Sequence, residues 1–267
     1  MTLDMFRLGI VQITPGQLDK VLRLVRNSSP DLLLLPEYTL FDPTGLKPEE
    51  IWQRAISLEE FVGDISKIAK KTGSYVAGGF LERGDKPKVY NTTTLVSPDG
   101  DLVGIYRKTH LFDAYGYRES DFVTSGEKLS DVYDIRGAKI AFSVCFELRF
   151  PEIFRELALK GAHLVAVPAA WYSGPLKEET LHILSRARAI ENGIYVAVSA
   201  LYGPRFTGRS IVVNPMGVVE LDLGVGERYG EASIDLTLLE EARRAVPSLH
   251  LRKPQLYEKI CGSLRQK

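Results

Sequence analysis

Three side chains in this sequence have the types and surroundings that nucleophilic catalysis requires. Cys145 ends an apolar, strand-like run that starts at Ile140, and a helix is predicted shortly after it. A thiol on such a turn is exposed at a sheet edge, where helix amides can stabilise a thiolate. Glu37 and Lys108 each follow another strand-like segment. Because active sites of α/β sheets collect at the carboxyl ends of strands, these positions suit a general base and a cation.

Each of these residues, taken alone, also fits a purely structural role. A lone cysteine at a strand end is usually a small buried apolar residue. Glu37 fits a solvated loop acid, and Lys108 fits an ordinary surface cation. His110 offers another catalytic pattern, a Cys–His pair in which imidazole activates the thiol.

The joint pattern around these residues is more specific than any one of them. In order and in rough spacing, it resembles the nitrilase superfamily of carbon–nitrogen hydrolases, and within it the amidase-like branch. The matching segments are Leu35–Glu37, Tyr106–Phe112, Cys145–Glu152, Pro168–Trp171, Arg186–Asn192 and Gly208–Gly217. The resemblance extends from about Phe6 to Ile234, which is nearly the whole chain.

The resemblance implies a role for four residues. Cys145 matches the family nucleophile, Glu37 its general base and Lys108 the cation that stabilises the oxyanion. Glu119 matches a second family glutamate, which positions substrate or water or tunes Lys108. In this scheme His110 shapes the pocket and does not transfer protons.

These residue types suit amide hydrolysis, because a primary amide is a poor electrophile with a poor leaving group. Glu37 is expected to take the thiol proton and later give it to departing ammonia. Lys108 and the backbone amide of Phe146 are expected to stabilise the oxyanion. Water activated by Glu37 then hydrolyses the Cys145 thioester. We expect no metal and no organic cofactor in this reaction.

Short apolar strands alternate with helical patterns along the chain and include both hairpins and strand–helix–strand units. A capping box at Ser57 and Glu60 predicts a helix that ends at Gly73. The mixed connections favour an α/β fold with sheets packed face to face and helices outside. The resemblance implies a four-layer α-β-β-α sandwich. We predict a single domain over residues 1–267, with a short tail from about residue 246.

The composition of the 267 residues is that of an ordinary globular protein, with 45% hydrophobic and 25% charged residues. The 34 basic residues balance 34 acidic ones, so no overall charge recruits nucleic acid or a membrane. No apolar run approaches the length of a membrane span, and the N-terminus has no secretion pattern, so we expect a cytoplasmic protein. Two cysteines and four scattered histidines predict neither a disulfide framework nor a zinc site. Cys261 is interpreted as incidental.

Residues after the strand that ends near Pro168 are expected to contact the acyl group of the substrate. Trp171 and Tyr172 are predicted to form a pocket wall. Many relatives of the ω-amidases carry a His-Trp pair where this sequence has Thr180-Leu181, so the sequence departs from the pattern of the dicarboxylate ω-amidases at this place.

Three arginines lie in or near the segments that carry the predicted site. If the substrate has a distal carboxylate, Arg118 or Arg205 is expected to bind it as a planar fork. Arg149 is predicted instead to pair with a carboxylate beneath the site.

The favoured function is hydrolysis of a small aliphatic primary amide or ω-amide with release of ammonia. Nitrile or N-carbamoyl hydrolysis by the same residues is the alternative, and a non-catalytic scaffold or thiol sensor is the third hypothesis. The expected partner is a small-molecule amide or nitrile. The resemblance also implies a homodimer in which helices near the active site pack across a two-fold axis.

Overall fold

Two six-stranded sheets form the framework of the computed structural model, which describes residues 5–257. The sixteen strands are β1 (Phe6–Gln12), β2 (Leu32–Leu34), β3 (Tyr75–Arg83), β4 (Val89–Val96), β5 (Leu102–Arg107), β6 (Asp113–Ala114), β7 (Tyr117–Arg118), β8 (Tyr133–Ile135), β9 (Ala138–Phe142), β10 (Leu164–Ala169), β11 (Tyr195–Ala200), β12 (Tyr202–Gly203), β13 (Phe206–Thr207), β14 (Ile211–Val213), β15 (Val219–Asp222) and β16 (Arg228–Ile234).

The two large sheets have the same mixed design. The first sheet has the order β16-β1-β2-β3-β4-β5, and the second has the order β15-β14-β11-β10-β9-β8. In each sheet three central strands are parallel: β1, β2 and β3 in the first, and β9, β10 and β11 in the second. The flanking strands pair antiparallel. Parallel neighbours bring their carboxyl ends to one edge of the sheet, which is where the polar residues described below converge.

Helices cover the outer faces of the sheets. The six helices described are α1 (Leu18–Leu24), α2 (Pro48–Arg54), α3 (Leu58–Thr72), α4 (Pro151–Leu159), α5 (Lys177–Asn192) and α6 (Leu236–Ala245). Two 3₁₀ turns, Glu119–Asp121 and Cys145–Arg149, carry residues of the candidate site. None of the helices within residues 5–257 combines the length and the apolar character needed to cross a bilayer.

Side-chain alternation along the strands explains the layers. In β2, Leu32 and Leu34 pack into the core between the sheets, whereas Leu33 joins a second core beneath α1 and α3. Successive strand residues point to opposite faces, so a strand that is apolar throughout is covered on both sides. Helices α4 and α5 cover the outer face of the second sheet. The predicted four-layer α-β-β-α sandwich is therefore confirmed.

The capping box predicted for the third helix is present. Ser57 Oγ accepts a hydrogen bond from the Glu60 amide, the Ser57 amide donates to Glu60 Oε2, and the helix ends at Gly73 with a φ of 66°. The short helix α2 was not predicted. It has seven residues and buries only Ile51, so its sequence carries almost no helical periodicity.

Candidate active site

Four residues predicted from the sequence lie together at the edge of the sandwich. Lys108 Nζ is 3.2 Å from Glu37 Oε1 and 2.8 Å from Glu119 Oε2, and Cys145 lies beside this cluster. Glu37, Lys108 and Glu119 are each at most 1% exposed, and Cys145 is 9% exposed. Three charged groups this deeply buried are stable only when they neutralise and hydrogen-bond one another.

Strand ends deliver these residues from both sheets. Glu37 follows β2 and Lys108 follows β5 in the first sheet, whereas Cys145 follows β9 in the second. Cys145 opens a 3₁₀ turn and has a φ of 45°. Non-glycine residues seldom adopt positive φ, and such strain is concentrated at functional sites. The face-to-face packing of the sheets therefore brings the thiol to the two strand ends opposite it.

The Glu37 carboxylate is fixed by three donors. Its Oε1 accepts from Asn91 Nδ2 at 2.7 Å and from Lys108 Nζ, and its Oε2 accepts from the Ala170 amide at 2.7 Å. These contacts come from β4 and from the residues that follow β5 and β10. They leave an Oε2 lone pair available to the neighbouring Cys145 thiol.

Glu119 holds the other side of Lys108. Its Oε2 accepts from Lys108 Nζ and from the Phe112 amide at 2.6 Å. Its Oε1 accepts from the Tyr38 hydroxyl at 2.8 Å and from Asn91 Nδ2 at 2.9 Å. One amide group, that of Asn91, therefore links the two carboxylates.

The environment of Cys145 favours the neutral thiol. Burial raises the pKa of Cys145 well above its usual range, the negative charge of Glu37 raises it further, and the positive charge of Lys108 opposes both. A nucleophile with a raised pKa needs a base at the moment of attack. Glu37 lies where such a base is required.

Lys108 remains a cation in this cluster. Burial lowers the pKa of its amine, but Glu119 and Glu37 outweigh that effect, and the pKa lies well above its usual range. An ammonium group has three donors, and two of those on Lys108 are used by the carboxylates. Within residues 5–257 the third has no acceptor, so it can bind an oxygen atom near Cys145.

A pocket of about 430 Å³, including its open mouth, lies over this cluster. It is lined by Glu37, Tyr38, Lys108, Phe112, Tyr117, Cys145, Phe146, Arg149, Ala170, Trp171, Tyr172 and Lys177. Aromatic rings make up most of the wall, and the charged groups lie at its base and on one side. A pocket with this lining suits a small organic molecule that has a polar reacting end.

The model of the carbon–nitrogen hydrolase family matches residues 7–244. This chain belongs to the carbon–nitrogen hydrolases. It is therefore an enzyme of that family, and the predicted membership of the nitrilase superfamily is confirmed.

Known amidases are among the relatives of this carbon–nitrogen hydrolase. It is 32% identical over 272 residues to an omega-amidase of Xenopus laevis, covering 94% of this chain and 96% of the relative. It is 34% identical over 244 residues to the deaminated glutathione amidase of Rattus norvegicus, covering 85% and 73%.

Solved structures share the whole fold. A double mutant of the amidase from Nesterenkonia sp. AN1, in complex with acrylamide, has a TM-score of 0.82 and 25% identity, covering 97% of this chain and 98% of that one. Saccharomyces cerevisiae Nit3, a member of branch 10 of the nitrilase superfamily, has a TM-score of 0.78 and 28% identity, covering 94% and 96%.

Three of the residues predicted to bind substrate line the pocket of this hydrolase. Phe146 follows Cys145 directly, and its ring meets that of Phe112 edge-on at 5.1 Å. Trp171 donates from Nε1 to the Lys177 carbonyl at 2.8 Å, which ties the wall to the start of α5. The Tyr172 hydroxyl hydrogen-bonds Thr44 Oγ1 at 2.7 Å.

The arginines are placed differently from the prediction. Arg118 is not among the lining residues; its side chain is 69% exposed and pairs with Asp121. Arg205 is also outside the lining, and it pairs with Asp42 at 2.7 Å. Arg118 lies in the short strand β7, whose exposed side chains face solvent while its neighbour Glu119 faces the cluster.

Two other cations line the pocket instead. The Arg149 guanidinium lies 5.5 Å from the centre of the Trp171 ring, and Lys177 Nζ lies 3.6 Å from that of Tyr115. The prediction that Arg149 pairs with a carboxylate beneath the site is wrong, since within residues 5–257 it forms no ion pair and stacks on the pocket wall. Lys177 was not singled out from the sequence.

His110 lies beside the cluster and not in the pocket. Its ring packs at a tilt of 38° against Phe150 with 4.2 Å between centroids, and Nδ1 is 2.9 Å from Thr109 Oγ1. Two polar residues of this region, Asn91 and Glu147, were not recognised from the sequence. Asn91 lies inside a strand whose sequence has no feature that marks a functional residue, and Glu147 was assigned no role apart from its place in the Cys145 segment.

Within the described residues, no group of three or more His, Cys, Asp or Glu side chains is arranged to hold a metal. Cys261 lies outside the described residues.

Proposed function

We propose that this carbon–nitrogen hydrolase cleaves a small primary amide with an acidic far end, releasing ammonia through a thioester on Cys145. The observation that carries the proposal is the contact of one buried ammonium, Lys108, with two buried carboxylates beside a neutral thiol. This cluster combines a nucleophile, a base and a cation at one end of a small pocket. The amidase relatives supply independent support for the reaction class.

In the first step the Cys145 sulfur attacks the amide carbonyl carbon while Glu37 takes the thiol proton. Glu37 suits this role because its three anchoring donors fix its orientation and leave a lone pair toward the thiol. Removal of the proton during attack is needed because burial disfavours a free thiolate.

The oxyanion formed by this attack requires fixed positive charge. The third donor of Lys108 and the backbone amide of Phe146, which follows the nucleophile, are the groups proposed to bind it. Donors held in a buried site are pre-oriented, and losing one typically costs about 3–4 kcal/mol of transition-state stabilisation.

The tetrahedral intermediate then breaks its carbon–nitrogen bond. Glu37 gives its proton to the leaving nitrogen, so ammonia departs and a thioester remains on Cys145. Water then attacks the thioester carbonyl as Glu37 takes one of its protons. That proton returns to the Cys145 sulfur when the carbon–sulfur bond breaks, and a carboxylic acid is released.

Two cations in the pocket wall support an acidic acyl group. Arg149 and Lys177 line the wall, and within the described residues neither is neutralised by an ion pair. Cations in a mostly aromatic wall attract a carboxylate strongly because few waters compete for it. An omega-amidase and a deaminated glutathione amidase are among the relatives, and both names fit amides that carry a carboxylate elsewhere.

Nitrile or N-carbamoyl hydrolysis remains the alternative, because the same residues suit it. The amidase relatives favour the amide.

A homodimer, through the outer face of α5, is also part of the proposal. Ile183 and Ile190 on that helix are 57% and 52% exposed. The cytoplasmic location stays a prediction.

Intact-mass spectrometry tests the reaction with a matched panel of substrates. The panel contains the mono-amide of a four-carbon dicarboxylic acid, the neutral amide of equal length, the corresponding nitrile and an N-carbamoyl amino acid. We expect ammonia release and a transient acyl adduct on Cys145 with the acidic mono-amide, and neither with Cys145→Ala. Hydrolysis that persists in Cys145→Ala would overturn the mechanism, whereas carbon dioxide release with ammonia would identify a carbamoyl substrate.

A further inference from the structure

A third buried glutamate of this region, Glu147, lies behind the proposed catalytic groups and does not line the pocket. It is fully buried, at 0% exposure, and lies two residues after Cys145 in the same 3₁₀ turn. Within residues 5–257 it forms no hydrogen bond or ion pair with Glu37, Lys108 or Glu119. Its two oxygens instead bind two different segments of the chain.

One oxygen binds the segment that follows Lys108. Glu147 Oε1 accepts from the Thr109 amide and the Thr109 hydroxyl, each at 2.8 Å, and from the His110 amide at 3.1 Å. The Tyr106 hydroxyl in β5 donates to the same oxygen at 2.8 Å. These donors come from residues on both sides of Lys108.

The other oxygen binds the segment that precedes Cys145. Glu147 Oε2 accepts from the Val144 amide at 2.7 Å and from Ser143 Oγ at 3.4 Å. The Glu147 amide donates to the Val144 carbonyl at 2.9 Å, so both the backbone and the side chain of Glu147 bind Val144 across the turn. This turn holds Cys145 at its positive φ.

We propose that Glu147 is a positioning residue that fixes the distance between the Lys108 amine and the Cys145 sulfur. β5 and β9 belong to different sheets, and their ends are free to shift relative to each other unless a side chain connects them. One carboxylate makes that connection between the residues beside Lys108 and those before Cys145. The inference rests on the catalytic roles proposed above for Lys108 and Cys145.

The ionised form of Glu147 is essential to this connection. Both oxygens of a carboxylate accept hydrogen bonds, whereas glutamine has one acceptor oxygen and one donor nitrogen. With glutamine at this position, the amide oxygen therefore accepts hydrogen bonds from only one of the two segments. The amide nitrogen, which is a donor, then faces the N–H donors of the other segment and cannot bind them. Burial alone would raise the pKa of Glu147, but hydrogen bonds from His110, Tyr106, Thr109 and Val144 outweigh it, and the pKa lies below its usual range.

The test compares steady-state kinetics and thermal unfolding for four variants on an amide that the wild type hydrolyses. Glu147→Gln breaks one side of the connection, and Tyr106→Phe and Thr109→Val each remove a single donor from Oε1. Glu82→Gln is the matched control. Glu82 is also a buried glutamate, 6% exposed, and it binds Arg107 next to Lys108, but it has no contact with the Cys145 turn.

We expect Glu147→Gln to lower kcat at least 100-fold with KM changed less than threefold, since the pocket wall is untouched. Tyr106→Phe and Thr109→Val should lower kcat about three- to tenfold, again without a change in KM. Glu82→Gln should lower Tm while its kcat stays at the wild-type value. If Glu147→Gln does not fold, the two single-donor variants decide the question.

Two results overturn the inference. One is a kcat within twofold of wild type in Glu147→Gln, or in both single-donor variants if Glu147→Gln is unfolded. The other is a loss of kcat in Glu82→Gln equal to that in Glu147→Gln, at an equal loss of Tm. That result would mean that the lower stability of the fold, and not the loss of the Glu147 connection, lowers kcat. Failure of the proposed function looks different, because Cys145→Ala would then retain activity on the same amide.

Discussion

The burial of Cys145 distinguishes it from an exposed reactive cysteine. An exposed reactive thiol is usually activated by a lowered pKa, whereas here burial and the nearby Glu37 raise the pKa. In the proposed mechanism, the proton therefore stays on sulfur until a substrate is bound and Glu37 removes it. Such a thiol is protected from unselective electrophiles and from oxidation between turnovers.

The raised pKa of Cys145 predicts how stability depends on alkaline pH. An unfolded chain loses the thiol proton near pH 8.5, while the folded protein keeps it, so the folded state binds more protons above that pH. The free energy of unfolding should therefore fall as pH rises from 8.5, by up to about 1.4 kcal/mol per pH unit from this group. Urea unfolding between pH 7.5 and 10 measures this slope in a Cys261→Ala background.

Cys145→Ala in the same background is the control for that slope. Alanine changes the stability at every pH, but it removes the titrating group, so the decline between pH 8.5 and 10 should become shallower. Parallel curves for the two proteins would show that the thiol does not lose its proton on unfolding in this range.

The two cations in the pocket wall predict selectivity for acidic amides. Arg149→Met or Lys177→Met removes a charge-assisted contact worth about 1.5–3 kcal/mol, which corresponds to roughly a 10- to 100-fold rise in KM for an acidic mono-amide. The KM for the neutral amide of equal length should not change. Arg118→Met and Arg205→Met are matched controls, since both arginines lie outside the lining and are paired with aspartates.

Equal rises in KM for acidic and neutral amides would mean that Arg149 and Lys177 only support the wall.

The sequence indicated the residues proposed to react more clearly than these two cations. Glu37, Lys108 and Cys145 occur in motifs with recognisable neighbours, whereas the contacts of Arg149 and Arg118 depend on how short loop segments turn. No local pattern predicts that turn, so the pairing predicted for Arg149 was wrong and Arg118 lies outside the pocket lining.

At the scale of elements, the position of Glu37 depends on a close approach between β3 and the segment after β2. A side-chain Cβ at Gly79 in β3 would lie 2.8 Å from Glu37 Cα and 3.1 Å from the Pro36 carbonyl oxygen. The Gly79 amide also donates to that carbonyl at 3.0 Å. Glycine at this position lets the strand end carrying Glu37 lie flat against its neighbour.

Gly79→Ala should therefore displace Glu37 from the cluster. We expect kcat to fall at least tenfold and the free energy of unfolding to fall by about 1–3 kcal/mol, the usual cost of overpacking. Activity assays and urea unfolding measure the two effects. Gly63→Ala is the control: nothing lies within 4 Å of its would-be Cβ in α3, so it should gain about 0.5–1 kcal/mol and keep its kcat.

Wild-type kcat in Gly79→Ala would show that Glu37 tolerates a shift of its backbone.

Helix α3 could be predicted because its signals are local: the capping box at Ser57 and Glu60 and the stop at Gly73 all lie in its own sequence. Asn91 could not be assigned a role in this way. Its amide bridges Glu37 and Glu119 only because three strands place those residues around it, and no spacing along the chain encodes that arrangement.

At the scale of the whole molecule, the outer face of α5 predicts assembly. Ile183 and Ile190 are seven residues apart, so they share one helix face, and Met216 and Val218 beside Ile190 are 53% and 56% exposed. A contiguous apolar patch of this kind on a folded chain marks a protein interface. A second copy of the chain is the proposed partner.

Light scattering coupled to size exclusion tests this assembly. We expect a wild-type mass of twice 29.8 kDa and a mass of one chain for the Ile183→Glu/Ile190→Glu variant. Leu102→Glu/Val103→Glu is the matched control; these residues are each 42% exposed on β5, in the other sheet, and the variant should remain a dimer. A single-chain mass for the wild type would refute the dimer.

The pairing of β1 with β16 affects how the protein is made. Phe6 lies opposite Ile234 and Gln12 opposite Arg228, so β1 pairs with β16 along its whole length. On the ribosome, β1 leaves the exit tunnel before β16 and must wait with one edge unsatisfied until residues 13–234 have been translated. Pairing over such a long stretch of chain is slow, and a waiting strand edge is a template for wrong partners. Chaperone dependence during synthesis would follow from this topology, whatever the stability of the finished enzyme.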